Sequence, residues 1–419
     1  MKRRTFLKNV ALTLPVATCM PYFYTLANAN LQRVKITDVK CIRTQIGLRI
    51  SPIVKVETDA GLVGYGECHH DESGYGAKDI IENALKPILI GQDPFDLEKL
   101  LFKMSTRTSY YGGNHGVATH AITGVEIALW DLIGKISGQP VHKILGGGSH
   151  VSQVRAYLSS GPSNMLDKES CQEYATYIKA ENITAVKVNV LRDQKWFEIN
   201  NRRISNIEVD RNEQGYANLR DALGPEIDIV VHCHWEFDFD SALRLCKAVA
   251  PIRPWWVEDP LPIAFNEQWI KLTAQSPSPI LCGENLYTRD DFRPFITKQG
   301  VNMIEIDVSM SGGLLEAKKI ADLAELYYIP VATHNVAGPI ATVASAHLAA
   351  SIREFLGHEM FALKESGEGL HGDPEILGYG RPLMENGYLQ LNDKPGLGID
   401  VNEELLKKYL AKGETWWGN

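Results

Sequence analysis

The chain has 419 residues, 43 Lys+Arg against 51 Asp+Glu, and hydrophobic residues at 44%. That is enough apolar material for a large core, and it excludes disorder, collagen-like repeats and a disulfide-knotted miniprotein. A net charge of −8 with no long Lys/Arg run argues against nucleic acid as a partner, and seven scattered cysteines without a CxxC pair exclude a zinc ribbon. The N-terminus opens with Arg3-Arg4-Thr5-Phe6-Leu7-Lys8, a twin-arginine pattern, then a mostly apolar run from Val10 to Ala17 and an A-x-A site at Ala27-Asn28-Ala29. Residues 1–29 therefore read as a signal for periplasmic export by the twin-arginine route. Thr13 and Pro15 interrupt the apolar run, and no other segment reaches 18 apolar residues, so no membrane span is expected.

Residues 31–70 read as strands. Val34 to Arg43 comes first, then Ile53–Glu57, a turn at Thr58-Asp59-Ala60-Gly61, and Leu62–Glu67. From about 76 to 138 the apolar spacing turns helical, with Ala121, Gly124, Ile127, Ala128 and Leu132 at three- and four-residue steps. Gly138-Gln139-Pro140 stops it, and Leu145-Gly146-Gly147-Gly148 marks a boundary near residue 150. Short β-rich runs then alternate with helix-length segments such as Ser241–Ala250 and Leu314–Leu326. The runs are Ala185–Val190, Ile227–Cys233, Trp255–Glu258, Ile280–Glu284, Met303–Val308, Ile329–Thr333 and Phe355–Met360. Alternation at this density predicts a parallel α/β architecture.

The polar residues ending those runs fix which one. His232, Glu258, Glu284, Asp307, His334 and Glu359 follow one another at 26, 26, 23, 27 and 25 residues, about one strand–helix unit each. In a (β/α)₈ barrel the C-terminal strand ends converge on one mouth, whereas an open sheet spreads them along an edge. No GxGxxG marks a dinucleotide fold either.

Glu258 and Glu284, at equivalent positions one unit apart, suit a hard divalent ion such as Mg²⁺, and His232 at the same phase would shift the preference toward Mn²⁺, Fe²⁺ or Zn²⁺. His232-Cys233-His234 places both imidazoles on one side of a strand and Cys233 among the helices. Asp307 beside His334 is a carboxylate that can orient an imidazole and raise its basicity, so the pair can take a proton from carbon. By the same two-residue rule Lys187 and Asn189 point into the mouth together; Lys187 is a base, an electrostatic anchor or a solvated strand-end charge.

These motifs resemble the enolase superfamily, in particular its mandelate racemase subgroup and the acid-sugar dehydratases of galactonate dehydratase type. Val54–Glu67 resembles the capping-domain strands, and Glu126–Lys135 the helix signature. Trp256-Val257-Glu258-Asp259-Pro260, Gly283-Glu284, Ile306-Asp307 with Gly312-Gly313, and His334-Asn335 resemble the later strand ends in order and spacing. The resemblance implies a modified (β/α)₈ TIM barrel (151–375), an α+β capping domain (30–150) and a C-terminal segment (376–419) that returns to the cap. It implies Mg²⁺ held by His232, Glu258 and Glu284, an Asp307–His334 base, His234 as the acid that releases a β-hydroxyl, and Glu359 hydrogen-bonded to the enolised carboxylate. It also implies a symmetric homo-oligomer.

Two departures accompany it. The family's second catalytic lysine falls at Asn189, which disfavours a two-base racemase. The first metal ligand, Asp in the family, is His232, which removes one negative charge; Asp238 and Glu236 are candidates to compensate. The expected reaction is loss of water from a sugar acid to a 2-keto-3-deoxy acid. Epimerisation or cycloisomerisation through the same enolate is the alternative, and a non-catalytic sugar-acid binding protein the second. Substrate specificity is expected from cap loops carrying Arg49, Tyr111 and His115.

Overall fold

The computed structural model describes residues 34–46, 49–71, 73–148, 152–193, 198, 201–361 and 374–417. Residues 1–29, where an export signal is expected, and the side chain of Tyr111 lie outside the described residues. The first layer is an antiparallel sheet of β1 (Ile36–Ile46), β2 (Arg49–Thr58) and β3 (Val63–Glu67), with β2 central. The turn predicted at 58–61 is the hairpin between β2 and β3. The helical region past residue 75 is broken into pieces, chiefly Leu97–Thr108 and Gly116–Ser137.

Gly116–Ser137 is long and apolar enough to cross a membrane, but it is buried here. It lies directly on β3, because a Cβ at Gly66 would stand 2.0 Å from the Gly124 carbonyl oxygen. Two glycines thus let a strand and a helix approach to backbone contact.

The second layer is a closed barrel of eight parallel strands. They are β4 (Gln153–Ser159), β5 (Ala185–Asn189), β6 (Asp228–His232), β7 (Trp256–Glu258), β8 (Ile280–Cys282), β9 (Met303–Glu305), β10 (Val331–Thr333) and β11 (Phe355–Phe361), with β11 pairing back onto β4. Seven of these were legible as β-rich runs; β4, Gln-Val-Arg-Ala-Tyr-Leu-Ser, was not, because polar residues dilute its apolar signal. Tyr157, Ala185, Val230, Trp256, Leu281 and Ala332 fill the lower barrel as one buried cluster. The polar strand ends stand above it.

The ladder registers explain the common phase: Asn189 pairs with His232, and His232 with Glu258. Past β12 (Met384–Glu385) and β13 (Tyr388–Gln390), which adds antiparallel to β4, the tail runs back to the first layer. Leu397 N donates to Asp131 Oδ1 at 2.9 Å, and Arg43 Nε to Glu414 Oε2 at 2.9 Å.

Candidate active site

The strand ends bring His232, Glu258, Glu284, Asp307, His334, Glu359 and Lys187 together in a buried mouth. Lys187 is at the centre. Its Nζ donates to Glu258 Oε1 at 2.6 Å and lies 2.8 Å from Glu359 Oε1 and 3.6 Å from Glu284 Oε2. The reading of Lys187 as a solvated charge is therefore excluded. Burial alone would lower its pKa; the carboxylates of Glu258 and Glu359 overcome that and hold it well above the usual lysine value. Glu359 answers in kind: burial works against its ionisation, but Lys187 and His334 pull its pKa to about 2.

The ligand atoms of His232, Glu258, Asp259 and Glu284 all lie within 4.8 Å of one another. His232 Nε2 is 3.4 Å from both Glu258 Oε1 and Glu284 Oε2. Both His232 Nε2 and Glu284 Oε2 are buried without a hydrogen-bond partner among the described residues. Orphaned buried polar atoms are costly, and a cation shared between them satisfies both. Burial, and next the Lys187 charge, drive the His232 pKa down to about 3, so the ring offers a lone pair. The donor set fits a divalent ion with mixed nitrogen and oxygen ligands.

Asp238 and Glu236, the carboxylates expected to compensate, are engaged elsewhere. Asp238 caps the helix Phe239–Val249 by accepting from Ser241 N, and Glu236 faces Arg192 at 3.6 Å. Asp259 joins the group as a further oxygen donor rather than a further charge. Its backbone is left-handed, with φ at 46°, and Trp235 Nε1 donates to its Oδ2 at 3.0 Å. Burial, with the neighbouring Glu284 and Glu258, raises its pKa well above the carboxylate range.

Asp307 and His334 are in contact. His334 Nδ1 contacts Asp307 Oδ2 at 2.8 Å, and Asp307 Oδ1 accepts from Ser309 N at 2.7 Å and Ser309 Oγ at 2.5 Å. Burial works against an imidazolium at His334, but Glu359, Glu284 and Asp307 outweigh it and raise the pKa to about 9. His334 Nε2 reaches toward Glu284 Oε2 at 3.4 Å.

Across the mouth, β6 ends at His232. His234 and Trp235 then take left-handed φ values of 51° and 57°, folding the chain so that the His232 and His234 rings lie tilted with centroids 3.7 Å apart. A tight reversal, not an extended pleat, keeps both imidazoles on one side. Cys233 is fully buried, as a small hydrophobe. β6 and β10 are the third and seventh of eight strands in the ring, so His234 and His334 approach from opposite sides.

The remaining candidates spread toward the rim. Arg49 Nη1 donates to the Val336 carbonyl at 3.1 Å, and its charge faces Glu359 and Asp307. Asn189 is exposed and, with Lys187, Ser160 and Asn164, lines an open cavity of 340 Å³. His115 is exposed and pairs with Asp291 at 3.0 Å.

A capped (β/α)₈ barrel with candidate divalent-ion ligands on successive strands and an Asp–His dyad opposite is the architecture of an enzyme that takes a proton from the carbon beside a carboxylate. Residues 32–146 match the Mandelate racemase / muconate lactonizing enzyme, N-terminal domain, and residues 169–405 the enolase C-terminal domain-like family; the chain belongs to this family, whose enzymes use a divalent metal. It is 34% identical to D-xylonate dehydratase of Haloferax volcanii over 87% of this chain and 86% of that one. It is 30% identical to D-galactonate dehydratase of Pectobacterium atrosepticum, over 87% and 92%. A mandelate racemase/muconate lactonizing enzyme-like protein from Rubrobacter xylanophilus superposes with a TM-score of 0.84 at 32% identity, covering 92% of this chain and 100% of that one.

Proposed function

We propose that this chain is a hydro-lyase that dehydrates an aldonate-type sugar acid to a 2-keto-3-deoxy acid, with Mg²⁺ as its ion. The observation that carries the reading is the opposition of the Asp307–His334 dyad and His234 across one carboxylate-lined space. Asp307 holds His334 with Nε2 toward the mouth, so the deprotonated His334 ring takes the α-proton. His234, from the far side, gives a proton to the departing β-hydroxyl, which is the geometry an anti-elimination requires. Lys187 and Arg49 supply fixed positive charge for the substrate carboxylate. His232, Glu258 and Glu284 would hold the ion, whose chemistry is to neutralise the carboxylate's growing charge as the α-proton leaves. The relatives that match are sugar-acid dehydratases, which does not favour the isomerase or binding-protein alternatives.

The test is a panel of pentonates and hexonates with the Mg²⁺-loaded enzyme, scoring semicarbazide-reactive product and α-proton exchange in deuterated water. A 2-keto acid from one of them is expected, with His334→Asn abolishing both signals. A redox-neutral isomer as sole product, or exchange undiminished in His334→Asn, sinks the reading. Export follows the same logic from Arg3-Arg4 and Ala27-Asn28-Ala29: a periplasmic fraction carrying the activity is expected, and replacement of both arginines by lysine should retain it in the cytoplasm.

A further inference from the structure

The carboxylate that orients the base is itself held from the cap. Asp307 Oδ1 lies 2.5 Å from Ser309 Oγ, a distance that two lone-pair-bearing oxygens tolerate only with a proton between them, so the Ser309 hydroxyl donates to Asp307. Ser309 Oγ also lies 2.8 Å from His69 Nδ1. Its hydrogen being committed, Ser309 must accept, and His69 must carry its hydrogen on Nδ1. His69 Nδ1 is in addition 3.7 Å from Asp307 Oδ2. The ring is buried between His70 and His120, with centroids at 4.2 and 5.0 Å.

His69 does not act alone. It follows β3, and Glu67 of that strand accepts from Gly338, Ile340 and Ala341 N at 2.9, 3.0 and 3.1 Å, at the start of the helix Pro339–Ala349. His70 meets Arg49, which holds the Val336 carbonyl. One cap segment, 67–70, therefore grips the loop after β9, which carries Asp307 and Ser309, and the loop after β10, which carries His334.

We propose that His69 is a positioning residue for proton abstraction: its Nδ1–H, through the Ser309 hydroxyl, fixes the Asp307 carboxylate that orients His334, so the base is competent only with the cap seated. This rests on the dyad's role in the proposed dehydration. It assigns the task to Nδ1, and side-chain geometry separates that from any task of Nε2. Asparagine places its amide nitrogen near His Nδ1, and glutamine places its own near Nε2.

The experiment compares His69→Asn, His69→Gln, His69→Leu and Ser309→Ala in the Mg²⁺-loaded full chain, reading kcat, KM and α-proton exchange. His69→Leu, His69→Gln and Ser309→Ala are expected to lose roughly ten- to a hundredfold in kcat and in exchange alike, with KM within about threefold. His69→Asn is expected to stay within about threefold of the parent. A leucine variant with full kcat, rescue by Gln but not Asn, or a loss confined to KM overturns the proposal.

Histidine-ring ¹⁵N spectra give a readout that needs no turnover: neutral Nδ1–H at His69 in the parent, shifting toward Nε2–H in Ser309→Ala. An Nε2–H tautomer in the parent also overturns it. If the parent exchanges no α-proton from any sugar acid, the dehydratase reading falls, while the tautomer measurement still decides the link between cap and Asp307. Should His69→Leu fail to fold, Ser309→Ala carries the same comparison.

Discussion

His232 stands at a strand end where the enolase-superfamily pattern has an aspartate, and its neutral ring leaves the ion group with one negative charge fewer. Lys187 Nζ, 2.6 Å from Glu258 Oε1, already serves as a cation for those acids, so an incoming ion competes with it. Replacing His232 by Asp adds a charge beside Glu258 and Glu284 and trades an imidazole for a hard oxygen donor. The expected outcome is Mg²⁺ binding at least about tenfold tighter by titration calorimetry, with a smaller preference for Mn²⁺. Unchanged Mg²⁺ affinity in His232→Asp would remove this residue from the ion's shell. The strand-end acids and histidines were legible because they repeat once per strand–helix unit. Asp259, Ser309 and His69 were not, because a left-handed backbone, a two-residue reversal after Asp307 and the distant cap deliver them, and none of these leaves a period in the sequence.

At the scale of elements, two buried histidines tie the cap's last turn to the barrel. His347, on the helix Pro339–Ala349, accepts at Nδ1 from His142 N at 3.1 Å and places Nε2 3.1 Å from the Leu397 carbonyl. His142 follows the Gly-Gln-Pro stop, so this contact joins the short helix Val141–Ile144, the barrel and the returning tail. Burial, with the nearby His142, lowers the His347 pKa to about 3, against 6.5 in the unfolded chain. A depressed histidine pKa means that the unfolded chain takes up the proton first. The stability this ring contributes is therefore complete above pH 6.5 and declines as pH falls toward 3, by about 1.4 kcal/mol per unit. His347→Asn keeps an acceptor for His142 N without a titrating ring. The gap in unfolding free energy between parent and His347→Asn should narrow from pH 7 to pH 5 in urea titrations; a constant gap would show that the ring is not held neutral. Spacing could not reveal this pair, since two lone histidines 205 residues apart carry no mutual signal.

Over the whole molecule, the cap is fastened to the barrel through buried carboxylates aimed at helix starts. Glu126 accepts from Leu314 and Leu315 N at 2.8 and 2.9 Å, as Glu67 does at the helix Pro339–Ala349. A Cβ at Gly313 would stand 2.1 Å from Glu126 Oε2, so the second glycine of the Gly312-Gly313 pair read from the sequence is the space into which that carboxylate docks. The fastening closes the mouth from above and leaves the acid cluster buried, with His232 Nε2 and Glu284 Oε2 lacking hydrogen bonds among the described residues. An ion that binds there binds the folded chain alone, since the unfolded chain scatters ligands over some fifty residues. Mass action then makes stability rise with ion concentration, by about 2.7 kcal/mol at a hundred times Kd. Thermal unfolding should move upward with Mg²⁺ or Mn²⁺ and return on chelation. The shift should disappear in Glu284→Gln and grow in Lys187→Met, where the cluster has lost its built-in cation. A midpoint indifferent to divalent ions in the parent and in Lys187→Met alike would mean that Lys187 alone satisfies these carboxylates, and no ion would be left for the elimination to use.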